Sequence, residues 1–121
     1  MNRFMHSLGF AWKGLRTAFS EQRNLKFHFS AAFAVVAAGF YFEISLEEWM
    51  VIVLTIGFVI GAELINSSIE GLVNLVSPQH QPLAGKIKDI AAAAVFIAAI
   101  TSIIIGFLVF HRYMFSFIHS L

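Results

Sequence analysis

The chain has 121 residues, of which 59% are hydrophobic and only 12% are charged, with a formal net charge of +1. A soluble domain of this length would expose too much apolar surface, so the composition predicts a membrane protein. The absence of cysteine excludes disulfides, thiolate catalysis and cysteine-ligated metals, and the basic residues form no patch that would bind nucleic acid.

The first twenty residues are amphipathic. Their apolar residues recur every three or four positions, and the basic residues lie off that line: Met5, Leu8, Trp12, Leu15 and Phe19 against Arg3, Lys13 and Arg16. This spacing predicts a helix over about residues 2–20 that lies on a membrane surface, with packing against protein as the open alternative. The polar residues 20–28 that follow are expected to form a turn or helix junction at the headgroup level.

Three apolar segments then follow, over about residues 27–45, 49–76 and 84–110, and each is long enough to span a bilayer. Pro78 and Pro82 mark the loop between the second and third segments. Every Lys and Arg except Arg112 lies in the N-terminal region or just after the second segment, whereas the loop after the first carries glutamates. The positive-inside rule therefore predicts a cytoplasmic N-terminus and a cytoplasmic second loop. The whole chain, 1–121, is expected to be a single domain.

The second apolar segment contains a polar stripe at the spacing of one helix face: Glu63, Asn66, Ser67, Glu70 and Asn74. Counting ~1.5 Å per residue from Trp49, Glu63 lies roughly 21 Å deep and Glu70 about 31 Å deep, against a hydrocarbon thickness of ~30 Å. An acid submerged in a span indicates a functional site, and a structural seam between helices is the alternative. Gly57 and Gly61 lie on a different side of this helix, where they permit close helix packing.

No phosphate-binding loop and no dinucleotide-binding fingerprint occurs. The five histidines are too scattered for a zinc site, and we expect them at interfaces or in loops. A buried carboxylate can accept the proton of an alcohol, and phosphoryl transfer needs such a base, a divalent ion and a cation, for which Glu63, Glu70 and Lys88 are the candidates. Proton conduction would use similar groups. Because three helices cannot shield the stripe from lipid, we expect protomers to build the site between chains.

The residues from Glu63 to Glu70 (Glu-Leu-Ile-Asn-Ser-Ser-Ile-Glu), the Pro82-Leu83-Ala84 segment and the Lys88-Asp89 pair together resemble the small integral membrane lipid kinases, which comprise prokaryotic diacylglycerol kinase and undecaprenol kinase. The similarity extends over about residues 12–110. It implies an all-α homotrimer of three-span protomers, each with a surface helix, in the bacterial inner membrane. It also implies transfer of the γ-phosphate of MgATP to a lipid hydroxyl at the cytoplasmic face.

The resemblance also implies a role for each matching residue. Glu63 would be the general base with Asn66 supporting the site, and Glu70 would bind metal near the nucleotide phosphates. The remaining nucleotide contacts would be Arg3, Gln22, Gln79, Lys88 and Asp89.

The chain departs from the family pattern at three positions. Gln22 stands where the family commonly has a second metal-ligating Glu, with Glu21 one position away. Because an amide binds Mg²⁺ more weakly than a carboxylate, either Glu21 substitutes or the metal site has less charge. Asn74 replaces a customary Asp, and Gln79 replaces a customary Glu.

The pattern Arg23-Asn24-x-x-x-His28 and the Pro-Leu-Ala segment look more like the undecaprenol branch of the family, so the resemblance favours undecaprenol as the acceptor, with diacylglycerol next. The alternative function is a non-enzymatic, proton-coupled transport subunit that uses Glu63 and Glu70 as relay sites. A structural assembly factor whose polar stripe only fixes helix register is a third possibility.

Overall fold

In a computed structural model that describes residues 2–121, the chain forms four helices and no strand. They are α1 (Asn2–Glu21), α2 (Arg23–Phe42), α3 (Leu46–Val76) and α4 (Pro82–Ser120). The last three are long and apolar enough to cross a membrane. The predicted all-α membrane fold with three spanning helices is therefore confirmed.

Helix α1 buries none of its residues, and large apolar side chains such as Phe10 and Trp12 are exposed along it. The predicted N-terminal helix is present, and its position on a membrane surface stays a prediction. The junction to α2 is narrower than expected, because only Gln22 leaves the helical conformation. Backbone hydrogen bonds from Gln22 to Ala18 and from Lys26 to Gln22 bridge the junction, and no glycine or proline interrupts residues 20–28.

The turn after α2 depends on Glu43, which adopts a left-handed conformation with φ of 52°. The N–H of Glu43 donates to the Phe40 carbonyl at 3.3 Å, and the N–H of Ile44 donates to the Gly39 carbonyl at 3.1 Å. These bonds satisfy the last carbonyls of the helix. Helix α2 consequently ends at Phe42 rather than at residue 45.

Helix α3 begins with a capping box. The Ser45 hydroxyl accepts from the Glu48 N–H at 3.2 Å, and the Glu48 carboxylate accepts from the Ser45 N–H at 2.9 Å. The helix therefore starts at Leu46, before the predicted residue 49. Just inside it, the Trp49 ring lies so close to Gly39 that a Cβ there would be 2.6 Å from the indole.

Helix α4 continues to Ser120, well past the predicted end at residue 110. No glycine or proline follows Gly106, so nothing local stops the helix. Its last turns reach the start of α3, where Tyr113 donates a hydrogen bond to Glu48 and Arg112 approaches the same carboxylate at 3.4 Å. The tail, for which the sequence suggested no role, thus fastens α4 to α3.

Helix α3 is the centre of the protomer, since α4 packs along it and α2 and α1 also contact it. A small apolar core lies near the α2–α3 turn, around Ile44, Ile52 and Val109. Many large apolar side chains of the spanning helices stay exposed, including Leu54 and Ile103. Such surfaces are suited to lipid or to neighbouring protomers.

Candidate active site

The polar face of α3 lies at the end of the molecule opposite to the apolar core. Glu63 is 2% exposed and Asn66 is 6% exposed, while Glu70 is half-buried. Asn66 Nδ2 donates a hydrogen bond to Glu70 Oε1 at 3.2 Å. The helix spacing thus places the three side chains along one side of α3, as expected from their positions in the sequence.

His28 of α2 is the residue that faces Glu63. Its Nε2 lies 3.6 Å from Glu63 Oε2, and its side chain is 14% exposed. Leu25, one turn earlier on α2, is fully buried and fixes this face of the helix. The sequence predicts the histidines at interfaces or in loops, and for His28 the prediction of a loop is wrong because this residue lies within α2. The signal that could have found it is the Arg23-Asn24-x-x-x-His28 pattern.

Two buried oxygens of this site have no hydrogen-bond partner: Glu63 Oε2 and Asn66 Oδ1. A buried polar atom without a partner costs free energy, and a buried carboxylate costs more than a neutral group. Such atoms are therefore uncommon unless they have a function. At Glu63 and Asn66 the unsatisfied oxygens are available to accept a proton or a hydrogen bond from a bound molecule.

Glu21 and Gln22 lie at the α1–α2 junction, beside the same end of α3. They line a cavity of about 620 Å³ with Ser67 and Ser68, on the neighbouring side of α3 from the buried pair. Glu70 is not among the residues that line this cavity. Within residues 2–121, no three His, Asp or Glu side chains come together as a metal cluster.

The other predicted nucleotide contacts are spread over three elements. Arg3 is exposed on α1, Gln79 is exposed in the loop after α3, and Lys88 and Asp89 lie near the start of α4. No ion pair in the described part of the chain joins any of them to Glu63 or Glu70. The protomer therefore brings together Glu63, Asn66, Glu70 and His28, and none of the predicted nucleotide contacts forms an ion pair with the two acids in the described residues.

Comparison with known proteins identifies the family. The family model for prokaryotic diacylglycerol kinase matches residues 9–110. The chain belongs to this family.

Three relatives show how the similarity is distributed. An undecaprenol kinase of Bacillus subtilis (strain 168) is 44% identical, over 91% of this chain and 89% of the relative. A diacylglycerol kinase of Synechocystis sp. is 37% identical, over 83% of this chain and 58% of the relative. A diacylglycerol kinase of Escherichia coli (strain K12) is 28% identical, over 84% of both chains.

Membership of the prokaryotic diacylglycerol kinase family makes the chain a bacterial membrane lipid kinase, with a lipid as substrate and ATP as co-substrate. The predicted enzyme class is confirmed. The comparisons give no support to the alternative of a proton-coupled transport subunit.

Proposed function

We propose that the chain transfers the γ-phosphate of ATP to the hydroxyl of undecaprenol, with Glu63 as the general base. The observation that carries this proposal is the unpartnered Oε2 of Glu63, buried on the same side of α3 as Glu70. A base for this reaction must be shielded from water and able to accept a proton. Glu63 has both properties.

The reaction balances with these residues. The acceptor O–H bond breaks, its proton passes to the Glu63 carboxylate, and the oxygen forms a bond to the γ-phosphorus as the bond to ADP breaks. Lys88 would offset charge on the transferred group, and Arg3, Gln79 and Asp89 would contact the nucleotide. Asn66 would hold Glu70 in place through the 3.2 Å hydrogen bond.

The donor atoms present suit Mg²⁺, because carboxylate and amide oxygens are the protein ligands that this hard cation prefers. We propose Glu70 as the first ligand, with Glu21 or Gln22 from the α1–α2 junction completing the set. When bound, Mg²⁺ would neutralise the phosphate oxygens of ATP. Glu70 would orient the metal, and the junction would bring the second oxygen toward the same end of α3.

Undecaprenol is favoured over diacylglycerol for two reasons. The chain is 44% identical to an undecaprenol kinase, over 91% of its own length. In addition, a small cavity of about 100 Å³ lies between α2, α3 and α4, lined by His28, Ala31, Ala32 and Gly106 among others. A mainly apolar cavity of this volume suits a single apolar chain better than the paired chains of diacylglycerol.

We further propose that three protomers assemble, with the active-site end of the bundle in the cytoplasm. Added Cβ atoms at Gly57 or Gly61 would meet nothing within 4 Å. These glycines line a groove of about 400 Å³ with Asn66, Ala91 and Ala94, and the protomer itself leaves this groove open. A helix of a neighbouring protomer fits such a surface of small residues.

The test is the substitution Glu63→Gln in membranes that contain undecaprenol, ATP and Mg²⁺. We expect transfer of radiolabelled γ-phosphate to lipid to fall by about 10²-fold or more, because an amide cannot accept the proton. The matched control is Glu47→Gln, which makes the same change at an exposed position in the first turn of α3 and should leave the rate unchanged. Undiminished turnover in Glu63→Gln would reject the proposed base.

A competition assay decides the acceptor. With equal mole fractions of undecaprenol and a diacylglycerol in the same bilayer, we expect labelled undecaprenyl phosphate to dominate the products on a thin-layer plate. A majority of labelled phosphatidic acid would assign the chain to the diacylglycerol branch instead.

A further inference from the structure

Each turnover of a lipid kinase releases one proton, and the proposed base has no direct contact with water. Glu63 is 2% exposed, and its Oε2 has no hydrogen-bond partner. A protonated Glu63 must lose its proton before the next acceptor can react. The neighbouring side chain that could take this proton must itself be titratable and must lie closer to solvent.

His28 satisfies both requirements. Its Nε2 lies 3.6 Å from Glu63 Oε2, and its side chain is 14% exposed, so it stands between the buried acid and the surface. Imidazole changes its protonation near neutral pH, which makes it a suitable carrier of a single proton. The separation exceeds hydrogen-bond distance by only a few tenths of an ångström, and contacts of this kind shorten when substrate binds.

We propose that His28 is the residue through which Glu63 releases the acceptor proton and returns to the carboxylate form. The inference rests on the proposed role of Glu63 as the base. His28 does not touch the reacting atoms, so it is a positioning and proton-transfer residue that acts through Glu63.

The transfer balances in two steps. After the acceptor oxygen has bonded to phosphorus, the Glu63 O–H bond breaks and the proton bonds to Nε2 of neutral His28. The imidazolium then loses one ring proton to water. Glu63 is again a carboxylate, His28 is again neutral, and the one proton produced by phosphoryl transfer has left the site.

Other charged groups around this pair are less well placed. On α3, Glu70 is held by Asn66 and lies seven residues from Glu63, or roughly 10 Å along the helix. Further titratable groups come from α1, α2 and the start of α4: Lys13, Arg16, Glu21, Arg23, Lys26, Lys88 and Asp89. None of them forms an ion pair with Glu63 within residues 2–121, whereas His28 does so if protonated. On α4, the residues that line the same cavity as His28 are Ser102 and Gly106, and neither of them titrates.

The experiment compares His28→Gln and His28→Ala with the wild-type enzyme in bilayers that contain undecaprenol and MgATP, from about pH 5.5 to pH 9. We expect kcat to fall by about 10-fold or more in both variants, with less than about a twofold change in KM for ATP. The pH dependence of kcat in both variants should differ from that of the wild type. Added imidazole should restore His28→Ala several-fold, since the truncation enlarges the cavity that His28 lines.

Two controls keep the result interpretable. His111→Gln removes an exposed imidazole at the far end of α4 and should not change kcat. His28→Asn serves if His28→Gln does not assemble. Glu63→Gln, assayed in parallel, tests the proposed base separately.

The possible outcomes are distinct. A wild-type kcat and pH profile in His28→Gln, beside an inactive Glu63→Gln, would overturn the role of His28 and leave the proposed function standing. A lower kcat with an unchanged pH profile and no response to imidazole would also overturn it, because that is the result of a purely structural defect. Full activity in Glu63→Gln would show that Glu63 is not the base. The inference about His28 would then fail as well.

Discussion

At the scale of single residues, the hydrogen bond from Asn66 to Glu70 makes a direct prediction. Asn66→Ala removes the donor that holds Glu70 Oε1 at 3.2 Å. If Glu70 binds the metal, loss of this orienting group should lower kcat or Mg²⁺ affinity by about 10–100-fold. Steady-state kinetics over a Mg²⁺ titration measures both quantities.

Ser68 provides the control for Asn66. Its hydroxyl donates to the Leu64 carbonyl at 3.1 Å on an exposed part of the same helix, so Ser68→Ala should leave both kcat and the Mg²⁺ dependence unchanged. Wild-type values in Asn66→Ala would show that Glu70 needs no such support.

The residues of the candidate site show which of its features the sequence alone can predict. Glu63, Asn66 and Glu70 share one helix, so the helical period alone predicts that they lie on one side of it. His28 approaches Glu63 from a different helix, and no local period relates α2 to α3. Its proximity follows from tertiary packing around the buried Leu25, which only coordinates can show.

At the scale of helices, the close approach between α2 and α3 at Gly39 makes a second prediction. A Cβ at this position would lie 2.6 Å and 2.9 Å from two carbons of the Trp49 ring, so the indole must move. Gly39→Ala should therefore lower the free energy of unfolding by about 1–3 kcal/mol, as overpacking does elsewhere. Titration of the micellar protein with dodecyl sulfate, followed by Trp fluorescence, measures the change.

Gly106→Ala is the matched control for Gly39→Ala. It makes the same substitution inside a spanning helix, but its Cβ would meet nothing within 4 Å. Its unfolding midpoint should equal or exceed that of the wild type. Equal midpoints for both variants would show that Trp49 moves aside at little cost.

The end of α4 gives a third prediction. Tyr113→Phe deletes the hydroxyl that donates to Glu48, while the ring and its contact with Phe42 remain. We expect a measurable loss of stability and an unchanged kcat, because this contact lies at the end of the bundle remote from Glu63. A double-mutant cycle with Glu48→Gln should give a non-zero coupling energy. Additive effects of the two substitutions would mean that the bond contributes nothing.

The presence of each helix could be predicted from the sequence, whereas the residues at which the helices begin and end were harder to predict. The apolar segments predicted all three spans, because length and composition decide whether a helix can cross a bilayer. The end of α2 depends on a left-handed Glu43, a residue type that seldom adopts this conformation. The extension of α4 to Ser120 depends on contacts with Glu48 made across the bundle, which no local pattern contains.

At the scale of the whole molecule, the proposed functional residues come from more than one helix. The base and the proposed metal ligand lie on α3, whereas Lys88 and Asp89 lie on α4 and form no ion pair with them within residues 2–121. The open groove along Gly57 and Gly61 leaves room for another chain beside this site. This open groove favours an active site shared between protomers, which a single sequence could anticipate only from the shortage of shielding helices.

A shared site predicts that two inactive variants restore activity when mixed. Glu63→Gln chains retain Lys88, and Lys88→Ala chains retain the base. In a trimer that contains both, an interface can therefore pair an intact Glu63 from one chain with an intact Lys88 from another. Every trimer that contains both kinds of chain has three interfaces, of which one joins an intact Glu63 to an intact Lys88, so about one third of wild-type activity should return. The measurement uses co-expressed chains with different affinity tags, purified through both tags in turn. Mixed oligomers without activity would place the whole site in one chain, and a failure to recover both tags together would show that the protomers do not assemble.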